Sequence, residues 1–261
     1  MSMWKTLATS LSLLAVVGTA HADPITGQGT WESTLRARDI NGNAVALGDA
    51  STAFFYDTAL NITWLADMNY AKTSGYDADG RMDWSTSVTW ANTLTIGSFS
   101  GWRLPTMVDT GSAGCDLSNS GTDCGYNVQT KDGGTVYSEM AHLFHITLGN
   151  LSERDTAGNI RGGSSGTDWG LANTALFQNM QSDVYWSGLG YALVQNAAWN
   201  FNNRFGYQGV AFNVNSSYAM AVRSGDVLRD DGNQVPEPQG LVLALTALAG
   251  LGVSLRRRRA A

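Results

Sequence analysis

Polar and apolar residues alternate most regularly in the last third of the chain. In DVYWSGLGY, AAWNFNNRFGYQGVAFNV and YAMAVRSGDV the inward set reads Trp199 and Phe201, then Val210, Phe212 and Val214, then Tyr218, Met220 and Val222. A two-residue period in three successive segments joined by short polar turns predicts an antiparallel meander with one buried face. Upstream the period lengthens. Asp83 is placed to cap a helix running to about Thr95, with Trp84, Val88, Ala91 and Leu94 as its apolar stripe. Ser138 opens a second helix with Met140, Leu143, Phe144 and Thr147 on one face and Gly149 as its stop. AFFYDTALNITWLADMNYAK reads as a hairpin around DTALN, TWESTLRARD as an early strand before a turn at NGNA, and FSGWRLPT as a strand stopped by Pro105. Glycine, serine and aspartate fill 108–135 and 150–173, which predicts long ordered loops. With no internal repeat, the body reads as α+β, two helices preceding the main sheet.

Both ends break this pattern. The first residues carry one early charge, Lys5, then an apolar run from Leu11 to Val17 and small residues Ala20 and Ala22 around His21. That layout predicts a secretory signal peptide over 1–22, cleaved after Ala22 by signal peptidase. At the far end, 240–255 is uncharged and is followed by Arg256, Arg257, Arg258 and Arg259. Such a stretch spans roughly 24 Å as a helix, against about 30 Å for a bilayer core, and its basic flank holds that end in the cytoplasm. Val235, Pro236, Glu237 and Pro238 stand just before it, with two of the chain's four prolines, which favours an extended segment open to a processing enzyme.

Composition narrows the function classes. Five of the 16 basic residues, Lys5 and the four terminal arginines, lie in these ends, which leaves 11 against 22 acidic residues, a balance near −11. A surface of that sign repels phosphate backbones and disfavours nucleic acid as a partner. Only Glu32, Glu139, Glu153 and Glu237 are glutamates, a bias toward turn and cap residues. Cys115 and Cys124, the two cysteines, are most simply a disulfide closing a small loop in an oxidising compartment.

The tail resembles PEP-CTERM, the bacterial sorting signal read by exosortases: a Pro-Glu-Pro motif, a short apolar helix and a basic terminus in that order. The body resembles the Lcl C-terminal domain family through Trp102, Arg103, Leu104, Pro105 and Thr106, then Tyr185, Trp186 and Ser187, then Val222 and Arg223. This likeness covers roughly 54–227 and implies the C-type-lectin-like fold, two helices with an antiparallel sheet and long disulfide-bearing loops. The domain plan is then 1–22 signal peptide, 23–53 N-terminal strand region, 54–229 lectin-like domain and 230–261 linker plus sorting signal. Sugar-binding lectins of the wider class use Trp-Asn-Asp and a proline loop to hold calcium. Here Trp199-Asn200 is followed by Phe201 and no such loop exists.

The remaining chemistry is sparse. Arg103 between apolar neighbours reads as a structural clamp, its stem on Trp102 and its guanidinium on carbonyls or a carboxylate. His142 and His145, at i and i+3, lack further zinc ligands and read as an exposed helix face. Asp77, Asp79 and Asp83 fail the EF-hand spacing and read as a turn before a helix cap. Calcium elsewhere in the loops, with Asp116 and Asp123, is the one cofactor set against none. Tyr207 and Trp169 are aromatics that could stack on sugars without metal, or else pack the core. No nucleophile has an adjacent base. The expected protein is not an enzyme. It is an exported, exosortase-processed component of the surface or extracellular matrix of a Gram-negative bacterium, transiently held in the inner membrane, binding exopolysaccharide or a surface protein. The alternatives are an enzyme of the formylglycine-generating type and a passive matrix component.

Overall fold

A computed structural model describes residues 24–111, 115–162 and 168–228. The expected signal peptide, span at 240–255 and sorting motif all fall outside the described residues. Among the described residues no helix is long and apolar enough to cross a membrane.

A short helix α1 (Trp31–Thr34) leads into strand β1 (Leu35–Asp39), so TWESTLRARD is a strand only in its second half. The Thr30 carbonyl accepts the Ser33 and Thr34 amides and both of their hydroxyls, which winds the first half into a turn. Strands β2 (Thr52–Asp57) and β3 (Ile62–Leu65) form the expected hairpin, in register Phe54↔Leu65 to Asp57↔Ile62. Asp57 builds its turn by accepting the Ala59 and Leu60 amides at 2.9 and 3.2 Å, and Asn61 closes it at φ 55°. Helix α2 (Tyr70–Thr73) and strand β4 (Arg81–Met82) follow. Helix α3 (Trp84–Thr93) is capped as expected by Asp83, which accepts the Thr86 amide at 2.8 Å.

FSGWRLPT does not form a strand. Arg103 makes one antiparallel bridge to Val222, with N–O distances of 2.8 and 2.9 Å, and the ladder stops there because Pro105 has no amide hydrogen to extend it. The loop that follows carries strand β5 (Gly125–Tyr126) and the small hairpin of β6 (Lys131–Asp132) and β7 (Thr135–Val136). Cys115 and Cys124 are joined, with Cα atoms 5.3 Å apart. Helix α4 (Glu139–His142) is capped by Ser138 as expected, then widens into a π-helical turn over Leu143–Thr147 and ends at Gly149 with φ 68°.

Strands β8 (Val184–Gly190), β9 (Ala197–Asn202) and β10 (Tyr207–Phe212) are the predicted meander, but the central strand β9 is buried on both faces. Phe212 and Val214 point out, 62% and 78% exposed, because β10 ends in a turn closed by the Asn215 amide on the Phe212 carbonyl. The last segment splits between sheets. Strand β11 (Ser217–Tyr218) lies parallel to β8, and β12 (Val222–Ser224) crosses to pair with β3. One sheet therefore runs β1-β2-β3-β12 and the larger one β4-β11-β8-β9-β10-β5. The chain is mixed α+β, mostly sheet with short helices.

Alternation sends neighbouring side chains into separate cores. Phe55, Trp64, Tyr185 and Phe201 pack with Met140, Leu143 and Phe144 in one. Phe54, Leu65, Trp186 and Ala198 pack with Trp90 and Ala91 of α3 in the other, where Trp102 stacks on Phe54 at 5.5 Å. A third, small core joins Cys124 to Met107, Tyr191 and Trp199. The disulfide thus pins the strand beside β10, where Gly125 pairs with Gln208. Replacing both cysteines by serine is expected to cost roughly 2.5 kcal/mol, from a loop of this size, and to lower Tm by several degrees in a thermal melt.

Candidate functional site

The larger sheet has one face only half covered. Trp186, Ala198 and Ala211 lie in the core shared with α3. Farther along the same face, Val184, Asn200, Tyr207 and Gly209 floor an open groove of about 600 Å³. The register explains the grouping, since Trp186 and Gly209 flank Asn200 on the two neighbouring strands. Gly209 gives room to the Tyr207 ring, because a Cβ there would come within 3.1 Å of its Cε2. Asn215, Ser216 and Ser217 form one wall, and Cys115 and Leu117 the other.

Two buried polar side chains lining the groove have no hydrogen-bond partner among the described residues: Asn200 is 4% exposed and Ser217 5%. Asn202, one alternation along β9, shows the contrast: its Oδ1 accepts the Arg204 and Phe205 amides at 2.9 and 3.2 Å and builds the β9–β10 turn. That turn places Phe205 between Trp169 and Tyr207, with ring centroids 5.7 and 6.3 Å away and planes tilted by 26° and 18°. Tyr126 meets Tyr207 edge-on at 5.4 Å. All four rings are half-buried.

Charge sits around the row rather than in the groove. Arg204 lies over Phe205 at 5.1 Å and Arg154 over Tyr126 at 6.0 Å. The Tyr126 hydroxyl donates to Glu153 at 2.9 Å, and burial followed by that carboxylate raises its pKa. The described lining of the groove offers amides, hydroxyls and an aromatic face, with no carboxylate, imidazole, lysine or arginine among them. Such a set orients hydroxyl-bearing ligands through paired donors and acceptors.

The motif residues of the family resemblance build the frame instead. Arg103 donates to both oxygens of Glu139, at 2.8 and 2.7 Å, and to the Leu104 carbonyl at 3.1 Å. Glu139 also accepts the Thr106 amide at 2.7 Å, and its hydrogen bond holds the Arg103 pKa above the ordinary value. The Pro105 carbonyl takes the Gly188 amide next to Ser187, the Ser187 carbonyl takes the Trp84 indole, and the Trp186 indole donates to the Met82 carbonyl. Tyr185 accepts the Gln181 amide at 2.8 Å, and Arg223 lies over Phe99 at 5.6 Å. These contacts bring the three separated motifs together, away from the groove.

The histidines are not on an exposed face. All four residues of α4 are buried, and His142 is 5% exposed with neither ring nitrogen bonded. His145 is half-buried, with Nδ1 3.2 Å from the Asn150 carbonyl oxygen and Nε2 unbonded. Burial pushes both down to about 4. The reason is that α4 runs between the sheets, where a helix has no solvent side, and the π-turn rotates the following side chains out of α-helical phase. Among the described residues no three metal-ligating side chains come together. Asp77 accepts the Asp79 and Gly80 amides, Asp116 the Ser118 amide, and buried Asp123 the Thr110 amide and hydroxyl, so these carboxylates shape turns and loops.

Of the residues that sequence pattern singled out, Trp169 and Tyr207 enter this site. Asn200, Ser217, Phe205 and Tyr126 were not legible as site residues, although Asn200 stands in the Trp-Asn pair that falls short of a lectin triplet. Trp199 of that pair turns to the opposite face and donates to Asp109 at 3.3 Å. No family model, curated protein or solved structure matches the chain.

Proposed function

We propose that this protein is an exported, exosortase-sorted component of the bacterial surface or extracellular matrix, whose lectin-like domain binds saccharide in the Asn200–Tyr207 groove without turning it over. The signal-peptide pattern, the Pro-Glu-Pro tail and the spaced family motifs support the address and the C-type-lectin-like fold. The observation that carries the ligand reading is the Asn200 side chain, which lines the groove and hydrogen-bonds to no described residue. One amide donates and accepts at once, which suits vicinal hydroxyls, and Tyr207 beside it supplies the apolar face that the C–H side of a sugar ring needs.

The test is a pull-down of the full-length protein from the extracellular matrix of its own host, with and without chelator. Wild-type protein is expected to retain polysaccharide in both conditions, and Asn200→Ala to weaken retention by about tenfold or more. The same substitution should leave the melting temperature nearly unchanged, because the Asn200 side chain gives up no hydrogen bond to a described residue. Retention of protein but no polysaccharide would refute the saccharide reading, and loss of retention with chelator would assign a calcium ligand. Secretion unaltered by deleting the exosortase would refute the sorting reading.

A further inference from the structure

The three most exposed large apolar side chains among the described residues stand together at one end of the larger sheet. They are Leu193, Phe212 and Val214, 60%, 62% and 78% exposed, and Val194 joins them at 42%. Two turns hold them side by side. The β8–β9 connection folds back through the Val194 amide on the Tyr191 carbonyl and the Ala197 amide on the Val194 carbonyl. Ala197 pairs with Phe212, and the Asn196 carbonyl accepts the Asn213 amide at 2.9 Å, so the turn over 212–215 lies directly beside it. Single exposed apolar residues are ordinary on a surface, whereas a group of them at the tip of a sheet marks a contact site.

The surroundings say what kind of partner fits. Between Val184 and Val222 the one charged residue is Arg204, in the turn at the opposite end of β9 and β10. Asp83 is the acid that the backbone bonds bring closest, through the Trp84 amide on the Asn213 carbonyl. Its carboxylate is engaged by the Thr86 amide and the Ser85 and Thr86 hydroxyls. The rim is made of amides instead: the side chains of Gln195, Asn196, Asn213 and Asn215 have no hydrogen-bond partner among the described residues. A strongly charged partner finds no opposite charge here, and an anionic lipid surface finds no basic rim. A copy of the same chain does fit. An amide both donates and accepts, so a rim of amides is complementary to itself, as a two-fold contact requires. Two copies of a chain with net charge −6 also meet with least repulsion where the surface is uncharged. An apolar centre inside a polar rim is the common anatomy of such an interface.

We infer that this tip of the larger sheet is a homodimer interface, in which Leu193, Val194, Phe212 and Val214 pack against the same surface of a second copy. The groove begins beside the tip, because Ala211 and Asn215 of its lining flank Phe212 and Val214 in the chain. A dimer joined here presents two grooves near its axis. Resting on the saccharide reading above, it holds one polysaccharide at two places, with an avidity that a single groove lacks.

The test is sedimentation equilibrium of the chain as its host secretes it, over a wide range of concentration. Wild type is expected to form a dimer that dissociates on dilution, and Phe212→Ser with Val214→Ser to weaken dimerisation by about a hundredfold. Both side chains are largely exposed, so the dilute monomers should melt at the same temperature. A monomer at every concentration, or a dimer that the double variant leaves intact, overturns the inference. Recruitment of wild type but not the variant to neutral phosphatidylcholine vesicles, in place of dimerisation, gives the tip to a membrane and overturns it as well. On immobilised matrix polysaccharide, wild type should be retained about tenfold or more better than the double variant. Equal retention removes the avidity while the dimer stands, and retention of neither refutes the saccharide reading alone.

Discussion

Replacing Glu139 with glutamine is expected to be among the most damaging single changes in this chain, lowering unfolding free energy by about 3 kcal/mol. Glu139 is the hub of a clamp: its carboxylate takes two bonds from Arg103 and one from the Thr106 amide, with its side chain only 6% exposed. Glutamine keeps the shape and removes the charge, so a guanidinium with 32% of its side chain exposed loses its only ion-pair partner among the described residues. Partial water access to Arg103 keeps the loss below that of a fully sealed pair. Arg103→Lys should cost less, since it retains the charge and loses the two-pronged geometry. The double change Arg103→Met with Glu139→Met should be less harmful than the two single changes added together, because no charge is left stranded. Urea unfolding of the five variants, the two single Met changes included, checks this, and a Glu139→Gln midpoint equal to wild type would remove the clamp from the account. Beside the clamp, Ser138 caps α4 with its hydroxyl and donates to Gln208 of β10 at 2.6 Å, which ties the helix to the larger sheet.

Acidification from pH 7 to pH 5 is expected to remove about 2 kcal/mol of stability for each of His142 and His145. Burial depresses both folded pKa values to about 4 from an ordinary 6.5, so the unfolded chain binds more protons throughout that interval. Stability therefore rises with pH: it is full above about 6.5 and is lost as pH falls toward the folded value near 4. For His142 the causes are its own desolvation and then the positive charge of Lys131; for His145 Arg161 adds to burial, and the hydrogen bond with the Asn150 carbonyl opposes it. Asp57 works in the other direction. Burial raises its pKa, so its protonation in acid relieves a penalty and offsets part of the loss. Asp83 and Asp155 are lowered mainly by hydrogen bonds from Thr86 and Asn159 and matter only in stronger acid. The measurement is unfolding free energy from pH 7.5 to 4.5 for wild type and for His142→Phe with His145→Phe. The variant should show a much flatter slope, and a slope equal to wild type would exclude the histidines as its source.

Local signals were read correctly where a single side chain decides the outcome. Asp83 and Ser138 cap their helices because a short oxygen-bearing side chain reaches the orphan amides whatever packs around it. The β2–β3 hairpin follows from Asp57 and Asn61, which shape the turn without outside help. Burial was less legible. Phe212 and Val214 fit the inward alternation and face solvent, and His142 looked like a surface residue and is buried. Trp90 fell outside the stripe assigned to α3 and is among its most buried residues, because that helix is covered on more than one side. Periodicity reports which residues share a face and does not report what lies against that face.

The chain's order of residues determines its helix caps, its tight turns, the meander of β8, β9 and β10, and the pairing of two nearby cysteines, since each rests on neighbours within a few positions. Only the tertiary structure decided that β11 and β12 part company between two sheets, that Arg103 meets Glu139, and that Trp169, Phe205, Tyr207 and Tyr126 form one row beside an unbonded Asn200. Those contacts join residues far apart along the chain, and they form where two cores must be filled at once, a condition of volume and burial that no local stretch of sequence expresses.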